Sequence, residues 1–411
     1  MRILAFSSLY PPFFEGGYEI ICKDVSDELL KRGHDVRVVT SRFGIKYQGQ
    51  SINEDNVYRE LDTIRFSKIP LYKLSSGARF EKKNIDVIRH HLKQFRPDVI
   101  SVWHFASFSR AQLIYLELSG IPIVYNILDY WLLWWFYGKS VDRWFWHNKW
   151  FKVFLPKITL PDEPQILEWQ PLNLRHIWFL SEHLKNEHVK AGLPVQQGKV
   201  IYNGISLDQY KIPAKREGFS LSRPFRLLYA GRLNKDKGVH TILEAMKILH
   251  NKGQRQYRLA ALGNGPAGYL KELKLLIAQD GLEGHVNLVG QVPHEDLPKF
   301  YAEHDALIYP SIWNEPLGRS WQEAMACGLP VIATPVGGLK EILVDGQNSL
   351  VFSPDHPEEL ALKIERLSED RELYERIKTT AYEMVSNRFN LSTMVEQIQE
   401  CLKGAISEQK G

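Results

Sequence analysis

Cysteine is scarce in this chain of 411 residues: Cys22, Cys327 and Cys401 are the only three, and they lie far apart. That spacing excludes a thiolate metal knuckle and a disulfide-stapled scaffold, and it suits a reducing compartment. Long apolar runs are also missing, since nothing approaches the ~20 residues that a membrane-spanning helix needs. Met1 to Phe6 runs straight into a strand pattern with no charged, apolar, cleavable leader, so the expectation is a cytoplasmic chain, neither exported nor integral. Charge of one sign is lacking too. A formal net charge of +4 is small for this length, and no concentrated basic face with an aromatic or helical reading element stands out, which argues against nucleic acid as a partner.

What is present is material for two cores. The length exceeds the usual single-domain size, and a 44% hydrophobic content can fill both. Strand patterns at Ile3 to Ser7, Val36 to Thr40, Val99 to Val102, Ile121 to Asn126, Ile177 to Leu180 and Val200 to Tyr202 alternate with helical patterns at Tyr18 to Lys31, Lys83 to Gln94 and Ser107 to Leu118. A second series follows the polar stretch Ser206 to Arg223, which reads as a linker. Its strands fall at Phe225 to Tyr229, Arg258 to Leu262, Val286 to Leu288, Ala306 to Tyr309, Val331 to Thr334 and Ser349 to Phe352, before long helical patterns at Pro357 to Asn387 and Ser392 to Lys403. Such alternation predicts the α/β class, with two doubly wound, mainly parallel sheets.

The most informative segment is Asn314-Glu315-Pro316-Leu317-Gly318-Arg319-Ser320-Trp321-Gln322-Glu323. Glu315 falls in a turn beyond a strand's carboxyl end and Glu323 about one turn into the following helix, so both can face a ligand at the sheet rim. Their spacing suits gripping two hydroxyl groups of one extended molecule, although an acidic residue near a helix start also answers to dipole chemistry alone. The second segment is Tyr229-Ala230-Gly231-Arg232-Leu233-Asn234-Lys235-Asp236-Lys237-Gly238, a strand, a basic turn and a helix start. Backbone amides and two cations there favour an anion, and Arg232 with Lys237 suits a diphosphate. Gly16-Gly17 follows the first strand, and two adjacent glycines allow backbone to approach a ligand. Gly263-Asn264-Gly265-Pro266 is another strand-to-helix turn, read as mostly structural with a share in nucleotide contact. Gly337-Gly338 lies in a third such turn.

In this order, with Pro11-Pro12, Gly33-His34-Asp35-Val36 and Tyr202-Asn203-Gly204-Ile205, these motifs resemble the retaining glycosyltransferases of family 4, over nearly the whole length. The resemblance implies the GT-B architecture, two Rossmann-like domains facing across a cleft. The amino-terminal, acceptor-side domain would span 1–206 and the donor-binding domain 207–389, with a carboxyl-terminal helix at 390–411 packing back on the first. It also implies site residues. Arg232 and Lys237 would hold the nucleotide diphosphate, Glu315 the donor sugar and Glu323 the ribose. Gly16, Gly17, Gly265, Val292, Pro316, Leu317 and Gly318 would line the donor site, with backbone near Gln291 and Val292 meeting a uracil, guanine or adenine base.

The implied reaction moves a hexosyl unit from a UDP-, GDP- or ADP-sugar to a hydroxyl of a glycan or lipid-linked glycan, as in polysaccharide biosynthesis, without cofactor or metal. Negative charge grows on the departing diphosphate, which fixed cations stabilise. Front-face attack, with the leaving phosphate accepting the acceptor's proton, is likewise an implication of the resemblance. One position departs from the family: many members have His-Asp where this chain has Leu128-Asp129. Asp129 and His104, which follows the strand Val99 to Val102, are the candidates to orient an acceptor hydroxyl, and each can equally be structural. A nucleotide-sugar epimerase and a non-catalytic sugar-nucleotide binding protein are the alternatives.

Trp131 to Phe151 is unusual, since ten of its 21 residues are aromatic and six are tryptophans. Trp131, Trp134, Trp135, Trp144 and Trp146, interspersed with cations, suit either packing against protein or peripheral contact with the inner face of a cell membrane.

Overall fold

A computed structural model describes residues 1–43, 55–63, 74–136, 172–210, 223–254 and 256–410. The chain forms two compact units, one of Met1–Tyr202 with Met394–Gly411 and the other of Asn203–Thr393.

The first unit is built on a seven-stranded parallel sheet. Its strands are β1 (Arg2–Ser7), β2 (Asp35–Ser41), β3 (Val57–Leu61), β4 (Val99–Val102), β5 (Ile123–Ile127), β6 (Ile177–Phe179) and β7 (Lys199–Val200), in the order β3-β2-β1-β4-β5-β6-β7. Helices α1 (Gly17–Lys31), α2 (Leu74–Phe95), α3 (Arg110–Leu118), α4 (Trp131–Phe136) and α5 (Glu182–Lys190) connect them. The strands read as unbroken apolar runs because helices cover both faces, and β4 and β5 are buried at every residue. Periodicity does not reveal β3, because Arg59 and Glu60 interrupt its apolar run. Arg59 is nonetheless buried, donating Nη1 to the Tyr10 carbonyl at 3.0 Å and Nη2 to that of Pro11. An edge strand thereby ties down the loop after β1.

The second unit carries β8 (Phe225–Ala230), β9 (Tyr257–Leu262), β10 (Val286–Gly290), β11 (Ala306–Tyr309), β12 (Val331–Ala333) and β13 (Leu350–Val351), all parallel, in the order β10-β9-β8-β11-β12-β13. Its helices are α6 (Val239–Asn251), α7 (Ala267–Gln279), α8 (Leu297–Glu303), α9 (Ser320–Ala326), α10 (Pro357–Glu369) and α11 (Arg371–Arg388), and α12 (Leu391–Lys410) then runs into the first unit. Two doubly wound parallel sheets are the architecture expected from the alternating pattern. The strand order reverses between β1 and β4 in one sheet and between β8 and β11 in the other, the points where such sheets hold ligands.

Two expectations need correction. The helical pattern from Pro357 to Asn387 is two helices, because Asp370 adopts an extended backbone and its side chain accepts the Leu373 amide at 2.9 Å, capping α11. The stretch Ser206 to Arg223 is not all linker. Leu207–Tyr210 forms a 3-10 turn with Tyr210 buried, and residues 211–222 lie outside the described residues.

Candidate functional site

In the second unit the site grows from loops at the carboxyl ends of β8, β9, β11 and β12. These loops touch backbone to backbone. A Cβ on Gly265 would lie 1.9 Å from the Leu233 carbonyl, and one on Gly337, where φ is +55°, would lie 1.9 Å from the Glu315 carbonyl. The second glycine has no substitute, since the backbone is left-handed and the space is filled. Beside it the Gly338 amide donates to that same Glu315 carbonyl at 2.9 Å. Glu315 is thereby held from behind, and its neighbours Pro316 and Leu317 are buried in the turn that Gly318 closes.

The Glu315 carboxylate is buried and meets Lys237 in an ion pair, while the Ser311 hydroxyl donates to the same Oε1 at 2.9 Å. Lys237 sits in a 3-10 turn just ahead of α6, with the Trp313 ring 5.8 Å from its Nζ. A buried charge pair of this kind needs further hydrogen bonds to offset its desolvation, and Ser311 supplies one. Burial, followed by the nearby Glu315 charge, pushes the hydroxyl pKa values of Tyr229 and Tyr309 well up, so both rings remain neutral. The Tyr229 hydroxyl donates to the Arg232 carbonyl at 2.6 Å and shapes the basic turn. Arg232 itself is exposed, and its guanidinium makes no hydrogen bond or ion pair with the described residues. The fork-shaped cation is open to a ligand.

Glu323 has a separate set of partners. Its Oε1 accepts from Arg319 Nε at 2.8 Å, from the Tyr210 hydroxyl at 3.0 Å and from His294 Nε2 at 3.1 Å, and its Oε2 accepts from the Tyr301 hydroxyl at 2.9 Å. Burial raises the carboxyl's pKa, but His294, Arg319 and Tyr301 together overcome it and hold the group down at about 2. The two glutamates are therefore held by separate sets of partners. Glu315 is bonded to the β8 and β11 loops, Glu323 to the 3-10 turn at 207–210, the segment after β10, and α8. Val292, half-buried, lies two residues before His294.

In the first unit the residues at the strand ends are fewer and less tightly bound. Gly16 is exposed and precedes α1, its amide donating to the buried Glu19 carboxylate at 3.2 Å, while Gly17 opens the helix. His104, past the end of β4, has Nε2 3.4 Å from Asp129 Oδ2, and its Nδ1 is buried with no partner among the described residues. Burial opposes protonation of this imidazole, but Asp129, with Glu19 and Glu15 behind it, raises its pKa above the ordinary value. The Tyr18 ring meets His104 edge-on at 5.1 Å. Asp129 follows β5 and its other oxygen accepts the Trp131 amide at 2.9 Å, fixing the start of α4. Leu128 is buried and points chemistry nowhere. Sequence distance hid this grouping, since Glu19, His104 and Asp129 meet only through the β1-β4-β5 order.

The aromatic stretch divides. Trp131 is fully buried, which corrects its assignment to a membrane surface: a ring with no exposed area cannot enter a headgroup layer. Trp144 and Trp146 lie outside the described residues, as do the side chains of Trp134 and Trp135. No helix among the described residues is long and apolar enough to cross a membrane.

Sequence reasoning missed Tyr210, Tyr301, His294 and Ser311, which sit 113, 22, 29 and 4 residues from the glutamates they serve. Arg319 was missed as well, although its place four residues before Glu323, on the same helix face, was a signal for it.

Comparison with known proteins agrees with the geometry. Residues 15–209 match the model of Glycosyltransferase Family 4, and residues 212–384 match that of Glycosyl transferases group 1. An uncharacterized glycosyltransferase of Methanocaldococcus jannaschii is 26% identical over 99% of both chains. The alpha-D-kanosaminyltransferase of Streptomyces kanamyceticus is 32% identical over 54% of this chain and 58% of its own. Among solved structures, Anabaena HepE in complex with UDP-glucose superposes with a TM-score of 0.69 at 23% identity, covering 98% of this chain and all of its own, a likeness of fold. With the two models meeting end to end across nearly the whole sequence, the chain belongs to the group 1 glycosyltransferases, and its activity is glycosyl transfer.

Proposed function

We propose that the chain is a retaining, metal-independent hexosyltransferase that takes its sugar from a nucleoside-diphosphate donor and gives it to a hydroxyl of a glycan or lipid-linked glycan, in the cytoplasm. The observation that carries this is the buried Lys237–Glu315 pair with Arg232, which is unpaired among the described residues, where the strand order of the second sheet reverses. Arg232 and Lys237 would meet the diphosphate and stabilise the charge that grows on it as the anomeric bond breaks. Glu315 would hold hydroxyls of the donor sugar and Glu323 those of the ribose. Gly265, Val292, Pro316, Leu317 and Gly318 would form walls of that site.

The first unit would bind acceptor. Gly16 and Gly17 would offer backbone to the substrates, and Asp129 with His104 would orient the attacking hydroxyl in place of the His that Leu128 lacks. The proton of that hydroxyl would pass to the leaving phosphate, and the new bond would form on the face that the diphosphate leaves, keeping the anomeric configuration. The UDP and UDP-glucose seen in HepE support a nucleotide-sugar donor of this kind.

A thermal-shift screen over UDP-, GDP- and ADP-sugars in the presence of a chelator tests the donor reading, because a ligand at ~100 times its Kd adds about 2.7 kcal/mol of apparent stability. Donor turnover without acceptor to a new sugar nucleotide would mean an epimerase, and binding without transfer would mean a sugar-nucleotide binding protein. Transfer with retained configuration, read by proton NMR, is the expected result.

A further inference from the structure

Four donors converge on the Glu323 carboxylate, and they are not alike. Tyr210 and Tyr301 are almost completely buried, and Arg319 is 7% exposed, so withdrawing any of them would strand a polar group in the interior. The His294 side chain is 27% exposed against 4% for that of Glu323. Its bond is also the longest of the four, at 3.1 Å.

Among the described donors to this carboxylate, His294 is therefore the one that a nucleoside hydroxyl arriving from solvent would meet. The carboxylate also has capacity for a ligand hydroxyl. It offers about four acceptor positions, three donors, His294 among them, already crowd Oε1, and Oε2 carries one donor, so the room for a further one is on Oε2. The Tyr210 hydroxyl lies 3.4 Å from the same Nε2 that faces Glu323, and the two rings meet edge to face. His294 stands two residues past Val292, in the segment that leaves β10.

We propose that His294 is a specificity-determining residue of the donor site, one that contacts the ribose hydroxyls and makes the site discriminate a ribonucleoside diphosphate from its 2′-deoxy form. The inference rests on the reading of Glu323 as the ribose-binding carboxylate, and extends it to a residue outside the carboxylate motif. A hydroxyl that shares Glu323 with His294 gains a neighbour of fixed orientation, whereas one that meets Glu323 alone competes with water. Hydrogen bonds to charged groups are worth enough for a tenfold change in affinity.

The test is calorimetric titration of the full chain and of His294→Ala with UDP, 2′-deoxy-UDP and inorganic pyrophosphate, with the guanosine and adenosine pairs alongside. The expected result is about tenfold weaker ribonucleotide binding in His294→Ala, little change for the deoxynucleotide, and none for pyrophosphate, since that anion answers to Arg232 and Lys237. His294→Gln, whose amide nitrogen can reach the position of Nε2, should recover part of the loss and serves in its place if the alanine variant does not fold. Equal penalties for the ribo and deoxy forms, or no penalty for either, would overturn the inference and leave the donor reading intact. Failure of the unaltered chain to bind any nucleoside diphosphate would overturn the donor reading and this inference with it.

Discussion

The two sheet rims differ in how they hold charge. At the second rim both glutamates are buried and each is bonded to a cation, and the loops around Glu315 approach so closely that Gly265 and Gly337 have no room for a side chain. At the first rim the His104 imidazole and the Asp129 carboxylate, 28% exposed, stand 3.4 Å apart, and one ring nitrogen has no partner among the described residues. The contrast suits their proposed tasks. A diphosphate with its nucleoside is a ligand of constant charge and rewards a rigid, pre-formed site, whereas acceptors vary and are met by fewer fixed groups.

The largest expected effects lie in the rigid rim. Glu315→Gln and Arg232→Ala should each lower transfer by about 10³-fold, comparable with removing a fixed stabiliser of transition-state charge, and near-unaltered initial rates in either would remove the assigned role. Next comes Glu323. Its pKa is depressed from 4.5 to about 2, so its contribution is present above pH 4.5 and is lost as pH falls toward 2. The shift corresponds to about 3 kcal/mol. Acid titration of unfolding should show Glu323→Gln losing that much stability at pH 7 and losing less additional stability than the unaltered chain between pH 4.5 and 2. Parallel curves would contradict the buried ion-pair account.

The open rim should respond more mildly. Asp129→Asn and His104→Ala are expected to lower kcat by about 10 to 10²-fold, the range of a single positioned proton-transfer or orienting group, with donor affinity unchanged. The raised His104 pKa means the charged His104–Asp129 pair is complete below pH 6.5 and lost as pH rises through the raised value. A pH profile of kcat that is identical in Asp129→Asn would show that the pair plays no part. The smallest effect belongs to Arg59→Lys, which keeps the charge but gives up one of two carbonyl contacts to the loop after β1. About 1 kcal/mol is expected in chemical denaturation, and a loss of several would place Arg59 nearer the core of the fold than its edge strand suggests.

Legibility in the sequence follows the same division. The doubly wound sheets could be read because buried parallel strands are unbroken apolar runs, as in Val99 to Val102 and Ala306 to Tyr309, separated by helical periods. The strand Val57–Leu61 could not be, since Arg59 serves tertiary contacts that no local pattern announces. In the same way Glu315, Arg232 and Lys237 stood out because each lies in a strand-to-helix turn whose chemistry is contiguous, and Glu323 because it lies in the first turn of the helix that follows one. Tyr210 did not, because it reaches Glu323 from a stretch whose composition reads as a connector. His104 and Asp129 were visible singly, and only the strand order made them a pair.

The most direct measurement is a crystal structure of the chain grown with an intact nucleoside-diphosphate sugar. The account predicts phosphate oxygens on Arg232 and Lys237 and hexose hydroxyls on Glu315. A donor bound elsewhere, or a basic turn left without phosphate at saturating donor, would contradict it.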